Sequence, residues 1–415
     1  MIDLLVKNAK IEEGDTLVDI RVKEGKILAI DTASKEASTK DSEEKASFIY
    51  NAAGQWVCPG FYESHIHLDK ACILDRCNIE KGTLDEAIKE TGKAKKNFTE
   101  EDVFKRASRV VEMAIKKGTV GLRTFVETDP KTELRSFDAI KKVAKKYAFA
   151  IDIQICAFAQ EGLTQDKETY QLLRQALDHG ADLVGGCPYK DEHPERHIEM
   201  VFDFAEQFDV PVDFHVDFDL NPSHSSIPKI VEETSKRNYQ GKVSIGHVTK
   251  LAAMPKEQRL HMAKLLKDAD ITLTVLPATD IFLNGREHKT LVPRGMVDAK
   301  ELARLGINTT LSSNNILNAF TPYGDASLVR MANMYANIAQ LSKDSDIAEV
   351  YKMITKNAAK PFSRQSEIKI GNPADFVVME AESSIEAIRT VAQALAGFKN
   401  GKQTFSNEKA LIFFT

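Results

Sequence analysis

Two histidines separated by a single residue, His65 and His67, stand in the run Pro59-Gly60-Phe61-Tyr62-Glu63-Ser64-His65-Ile66-His67-Leu68-Asp69. The apolar lead-in Trp56-Val57-Cys58 predicts a strand with the histidines near its end. Side chains i and i+2 of a strand share a face, so both imidazoles can reach one ion. Neutral imidazole nitrogens suit zinc or iron, and a fixed pair supplies half the ligands of a four-coordinate site. Taken alone, the pair reads equally well as two unrelated polar residues at a strand end. Further histidines decide the matter. Predicted strands at 212–218 and 243–248 each carry one near the C-terminal end, His215 and His247. Four histidines converging at strand ends point to a metal. The remaining ones, His179, His193, His197, His224, His261 and His288, fall on predicted helices or loops and read as ordinary polar residues.

For those strand ends to meet, the strands must lie side by side and parallel. Strand-like runs occur at 57–67, 119–127, 149–159, 182–187, 212–218, 243–248, 271–277 and 308–313, with helical patterns between them and after the last. Eight such alternations over about 300 residues predict a (β/α)8 TIM-like barrel, whose active site lies at the C-terminal ends of its strands. A doubly wound open sheet is the alternative, but no Gly-x-Gly-x-x-Gly turn follows any of these strands. Both chain ends differ in style. Short strands with turn residues at Glu13-Gly14-Asp15 and Glu24-Gly25, a polar loop from Ser34 to Ser47, and strands around 368–379 and 396–402 predict a small β-sandwich domain. It comprises residues 1–57 plus 361–415, with the barrel, 58–360, inserted in it.

A chain of 415 residues, 43% hydrophobic and 28% charged, can bury such a core. Its formal net charge of −5 argues against a nucleic-acid binder. No apolar run approaches the ~20 residues of a membrane span, and no signal peptide is apparent. Five cysteines without a CxxC pair suggest reduced thiols in a cytoplasm. Lysine clusters at Lys93, Lys95 and Lys96 and at Lys141, Lys142, Lys145 and Lys146 read as solvated helix faces.

The motifs together are specific. Besides the His65–Asp69 run they are Lys81-Gly82-Thr83-Leu84, Ala157-Phe158-Ala159-Gln160-Glu161-Gly162, His215, Gly246-His247-Val248-Thr249, Asn284-Gly285-Arg286 and Thr321-Pro322-Tyr323-Gly324. On these the chain resembles the amidohydrolase superfamily, within it the bacterial cytosine deaminase-like branch that includes triazine-side-chain amidohydrolases. The resemblance implies one divalent metal ion, zinc foremost with iron or manganese as alternatives, held by His65, His67 and His215. It implies that His247 acts beside the metal and that Gln160 hydrogen-bonds a ring substrate. A second metal would need a lysine on the fourth strand, where Val184-Gly185-Gly186-Cys187-Pro188 has none. The expected activity is hydrolysis of non-peptide C–N bonds in a small heterocycle or cyclic amide by metal-activated hydroxide. Of assembly, the resemblance alone hints at a homo-oligomer.

Two positions depart from the pattern. The glutamate expected three residues after His215 is Phe218, and the aspartate expected after the eighth strand is Asn314. Asn314 can still offer an amide oxygen to a metal but cannot take a proton. The substitute proton carrier is His247 or a nearby carboxylate, Asp217, Asp219 or Asp280, with Asp217, at i+2 from His215 on a regular strand, the first choice. Phe218 narrows the substrate pocket, and Arg286 suggests a carbonyl-rich or anionic substrate edge. The rival reading is a catalytically silent relative that keeps the pocket to bind a small molecule.

Overall fold

The structure, a computed structural model, describes residues 2–11, 16–33, 46–410 and 412–413. The turn expected at Glu13-Gly14-Asp15 and most of the loop expected from Ser34 lie outside the described residues. Strands β1 (Ile2–Ala9), β2 (Val18–Lys23), β3 (Lys26–Thr32) and β4 (Ala46–Asn51) form one sheet in the order β3-β2-β1-β4. β5 (Trp56–Pro59) leaves it, and β6 (Phe61–Ile66) opens the barrel. There follow β7 (Thr119–Glu127), β8 (Asp152–Ala159), β9 (Leu183–Gly186), β10 (Val212–Val216), β11 (Val243–His247), β12 (Thr272–Val275) and β13 (Thr309–Leu311). β14 (Phe376–Met379), β15 (Ala394–Lys399) and β16 (Lys402–Ser406) return with β5 as a second small sheet, in the order β16-β15-β14-β5.

The two small sheets face each other over one apolar core that includes Leu4, Val6, Ile20, Val57, Phe376 and Phe398. This is the β-sandwich made from both termini. The run read as one strand from Trp56 into the histidines is two strands of different sheets. β5 pairs antiparallel with β14, Val57 opposite Val378, whereas β6 pairs parallel with β7. Pro59 has no N–H for a continuing ladder, and at this point the chain crosses from one sheet to the other.

β6 to β13 lie in sequence order as an eight-stranded parallel sheet wrapped by helices, the TIM-like barrel. Its strands are nearly continuous in burial, as strands covered on both faces must be. Deep inside, Arg123 of β7 pairs with Asp213 of β10 at 2.9 Å and is held further by Gln154 and the Pro361 carbonyl. The barrel closes between β6 and β13. Ser64 N–H donates to Ser312 Oγ (3.0 Å), Asn314 N–H to the His65 carbonyl (2.9 Å), and His67 N–H to the Asn314 carbonyl (2.8 Å). No helix among the described residues is long and apolar enough to cross a membrane.

Candidate metal centre

His65 lies on β6 with His67 just beyond its end, His215 is the penultimate residue of β10, and His247 ends β11. Asn314 follows β13, joined to the end of β6 by the closing bonds. All five reach the C-terminal mouth of the barrel, and all are buried. The His65 and His215 rings stack at 4.3 Å between centroids, His67 lies 5.1 Å from His215, and His247 5.3 Å. His65, His215 and His247 each bring a ring nitrogen within 4.8 Å of the others, and the His67 ring stands perpendicular to that of His215.

The donor atoms are unsatisfied. Both ring nitrogens of His65, Nδ1 of His67, Nε2 of His215 and Oδ1 of Asn314 are buried without a hydrogen-bond partner. Each such atom costs roughly 1–3 kcal/mol when nothing pairs with it. Burial, then neighbouring positive charge and the other imidazoles, holds His65, His67 and His215 well below the ordinary histidine range. They therefore stand neutral at pH 7, lone pairs available, which is the donor set a divalent cation needs.

Packing fixes these rings. Phe125 lies 4.2 Å from His65, and Phe158 4.3 Å from His215, centroid to centroid. Gly246 leaves room for His65: a Cβ there would meet the ring Cε1 at 2.6 Å and Nδ1 at 2.9 Å. We expect Gly246→Ala to push the His65 ring aside, costing about 1–3 kcal/mol of stability and most of the metal affinity. Thermal unfolding with and without zinc reads both effects; an unchanged zinc dependence would refute this role for Gly246.

His247 differs from the other three. Its Nδ1 bonds Oδ1 of the fully buried Asp280 at 2.7 Å, leaving Nε2 for the chamber that His247 lines. Asp280 Oδ2 accepts the Leu276 N–H. Burial raises the Asp280 carboxyl, and the bond from His247 opposes that shift. The backbone is strained nearby. His247, Val248 and Asn314 hold φ of 71°, 49° and 60°, angles uncommon outside glycine and costliest for the β-branched Val248.

The chamber is tight as it stands, about 20 Å³, room for one or two waters. Phe218 forms part of its wall, edge-on to His247 at 4.5 Å and packed with Ala87, Leu283 and Phe320. Gln160 also lines it, with Oε1 accepting from Lys70 Nζ at 3.4 Å and Nε2 facing Cys187 Sγ at 3.2 Å.

Two residues expected here are not brought in. Asp217 lies beyond the end of β10 at φ 54°, so the alternation that would have aimed it at the centre is broken. Its carboxylate instead accepts from Ser225 Oγ (2.5 Å) and the Ser226 N–H (2.9 Å). Arg286 stays exposed, donating to the Lys81 and Phe282 carbonyls (3.1 and 2.9 Å) and stacking on Phe282, because a loop and the end of the helix Pro277–Leu283 offer it backbone oxygens outside the chamber. It latches these two segments to each other.

One group escaped the sequence reading. Lys70, directly after the His65–Asp69 run, lines the chamber, with Nζ 2.6 Å from Glu127 Oε1 and 4.5 Å over the Phe320 ring. Lys95 Nζ, also buried, pairs with Glu127, Asp129 and Glu161. Burial alone would raise the Glu127 carboxyl, but the two ammoniums outweigh it and hold the group below its usual range. Lys95 thus occupies the middle of a carboxylate trio that could otherwise take a cation. The available signal was a lysine adjoining the histidine run; its partners lie far away in sequence.

Residues 99–405 match the model of a family described as "Amidohydrolase family". The chain is 29% identical over 416 residues to N-isopropylammelide isopropyl amidohydrolase of Pseudomonas sp. (strain ADP), covering 98% of each. It is 26% identical over 380 residues to pterin deaminase of Rhizobium rhizogenes, covering 89% of this chain and 83% of that one. The fold superposes on 5-methylcytosine deaminase from Klebsiella pneumoniae, liganded with 5-fluorocytosine, with a TM-score of 0.91, 27% identity and 99% of each chain covered.

Proposed function

The chain belongs to the amidohydrolase family, and from that premise we propose that it hydrolyses non-peptide carbon–nitrogen bonds of a small nitrogen heterocycle or cyclic amide. The carrying observation is the set of unpaired, buried donor atoms on His65, His67, His215 and Asn314 beside an Asp280-oriented His247. These four residues would hold one divalent ion, zinc foremost, with iron or manganese as alternatives. Such an ion lowers the pKa of water to near 7 and polarises a carbonyl or amidine.

The protein's own groups do the rest. Asp280 fixes the tautomer of His247, so that Nε2 takes a proton from water and returns it to the leaving nitrogen. With phenylalanine at 218 and asparagine at 314, neither expected carboxylate is present, and the His247–Asp280 pair is the proton carrier that faces the chamber. Lys70 Nζ and the Gln160 amide offer hydrogen bonds to the polar edge of the ring. Phe218 excludes water and packs on an apolar face. The free thiols of all five cysteines suit a reducing cytoplasm.

Metal analysis joined to a panel of pyrimidines, triazines and pterins tests this. Expected are close to one equivalent of zinc, iron or manganese and release of ammonia or amine from at least one ring. Protein that takes no metal, even on reconstitution, would overturn the proposal. Full metal without turnover would favour the silent binding protein instead.

A further inference from the structure

Next to the chamber, sharing Gln160 in its lining, lies a wider hollow of about 390 Å³. One wall is the helix Leu84–Lys95 and its end, which presents Lys89, Gly92, Lys93 and Lys96; this spacing keeps them on adjoining faces. Lys131, from the loop after β7, and Lys190, from the segment after β9, stand opposite. The cluster that reads in sequence as a solvated face therefore divides. Lys95 is buried in the carboxylate trio, while its neighbours border a cavity.

The charges do not balance. Glu161, the lining carboxylate, is taken by Lys131 and Lys95, and Lys93 is taken by Glu90 at 2.5 Å. Lys190 comes only to 4.0 Å from the exposed Asp85. Lys89 and Lys96 have no carboxylate at ion-pairing distance among the described residues. A chain of net charge −5 thus turns a positive cavity toward its own site.

We propose that this hollow is a subsite for an anionic oxygen group, carboxylate or phosphate, carried by the ring substrate, with Lys89 and Lys96 as its free cations. This rests on the hydrolase reading: the ring occupies the chamber, Gln160 forms the wall both spaces share, and the substituent projects past it. Neutral rings bind with the hollow filled by water, whereas anionic rings gain the field of several ammoniums. That field is screened by salt over a Debye length of about 8 Å at physiological ionic strength.

Isothermal titration of the zinc-loaded full chain tests the subsite with matched ligands: a neutral pyrimidine, its carboxylate and its phosphate-bearing counterpart. The wild type is expected to bind at least one anionic member about tenfold more tightly than the neutral parent, with the gap shrinking in 0.5 M salt. The charge-reversal pair Lys89→Glu with Lys96→Glu should abolish the gap and leave neutral binding within about twofold. Lys89→Gln with Lys96→Gln should narrow it by a smaller factor should the charge-reversed protein misfold. Which anion gains more separates carboxylate from phosphate. Equal binding of neutral and anionic rings by the wild type, or equal losses for both in the variants, overturns the subsite. Turnover on the same compounds keeps the two readings apart. An anion preference without turnover leaves the subsite and removes the hydrolase, and turnover of rings regardless of charge does the reverse.

Discussion

His215→Ala should strip the metal and take turnover to background, whereas His247→Ala should keep the metal and lose only turnover. The His215 ring is the hub of the site, packed between Phe158 and His65 and close to His67 and His247. Removing it would delete one proposed ligand and free His65 and His67 to collapse into the space, so metal content should fall from about one equivalent to near none. His247 has a different connection, because Asp280 already satisfies one of its nitrogens. Its loss removes a proton carrier, a change on the order of 10²–10⁴ in kcat, with KM much less affected. Elemental analysis and steady-state rates on the same preparations read both outcomes. If both variants keep metal and rate, the centre lies elsewhere.

Asn314→Asp is expected to tighten metal binding by more than tenfold and to raise kcat by about 10²-fold. The substitution is close to isosteric, and aspartate accepts φ 60° about as readily as asparagine. The backbone bonds from Asn314 to His65 and His67 do not involve the side chain and survive. What changes is Oδ1, an unpaired amide oxygen that becomes a charged ligand and a base. Phe218→Glu is the companion change but a costlier one, because that ring sits in an apolar cluster where a carboxylate has to be desolvated. The single variant should therefore be read first, by competition with a zinc chelator and by initial rates. Tighter metal without faster turnover would show that this chain has settled on a route through His247 and Asp280.

The barrel was legible because its strands are short apolar runs at regular spacing, and the histidines because they stand at strand ends. What escaped has local physical causes. β4 carries Phe48 and Ile49 side by side and exposed at a sheet edge, so it lacks the alternation that announces a strand. Aiming Asp217 at the centre takes a regular strand, but β10 ends at Val216, and the positive φ of Asp217 sends its carboxylate elsewhere. Lys70 and Lys95 are recognisable as buried only through Glu127 and Asp129, which lie on other elements. Such long-range pairing leaves no periodic trace. Lysine next to lysine on a helix looks solvated until the fold shows which one turns inward.

Asn314 closes the barrel with its backbone and lines the same chamber as His67, His215 and His247, its Oδ1 buried and unpaired. An ion held by His65, His67 and Asn314, as proposed, would fasten the first strand of the barrel to the last, so that loading would stabilise the whole domain as well as supply its chemistry. At a free metal concentration a thousandfold above Kd that linkage is worth about 4 kcal/mol, a large share of an ordinary domain's stability. Metal starvation would leave this barrel unclasped at its seam and open to proteases, so the supply of the ion would govern how much protein persists as well as how fast each copy works.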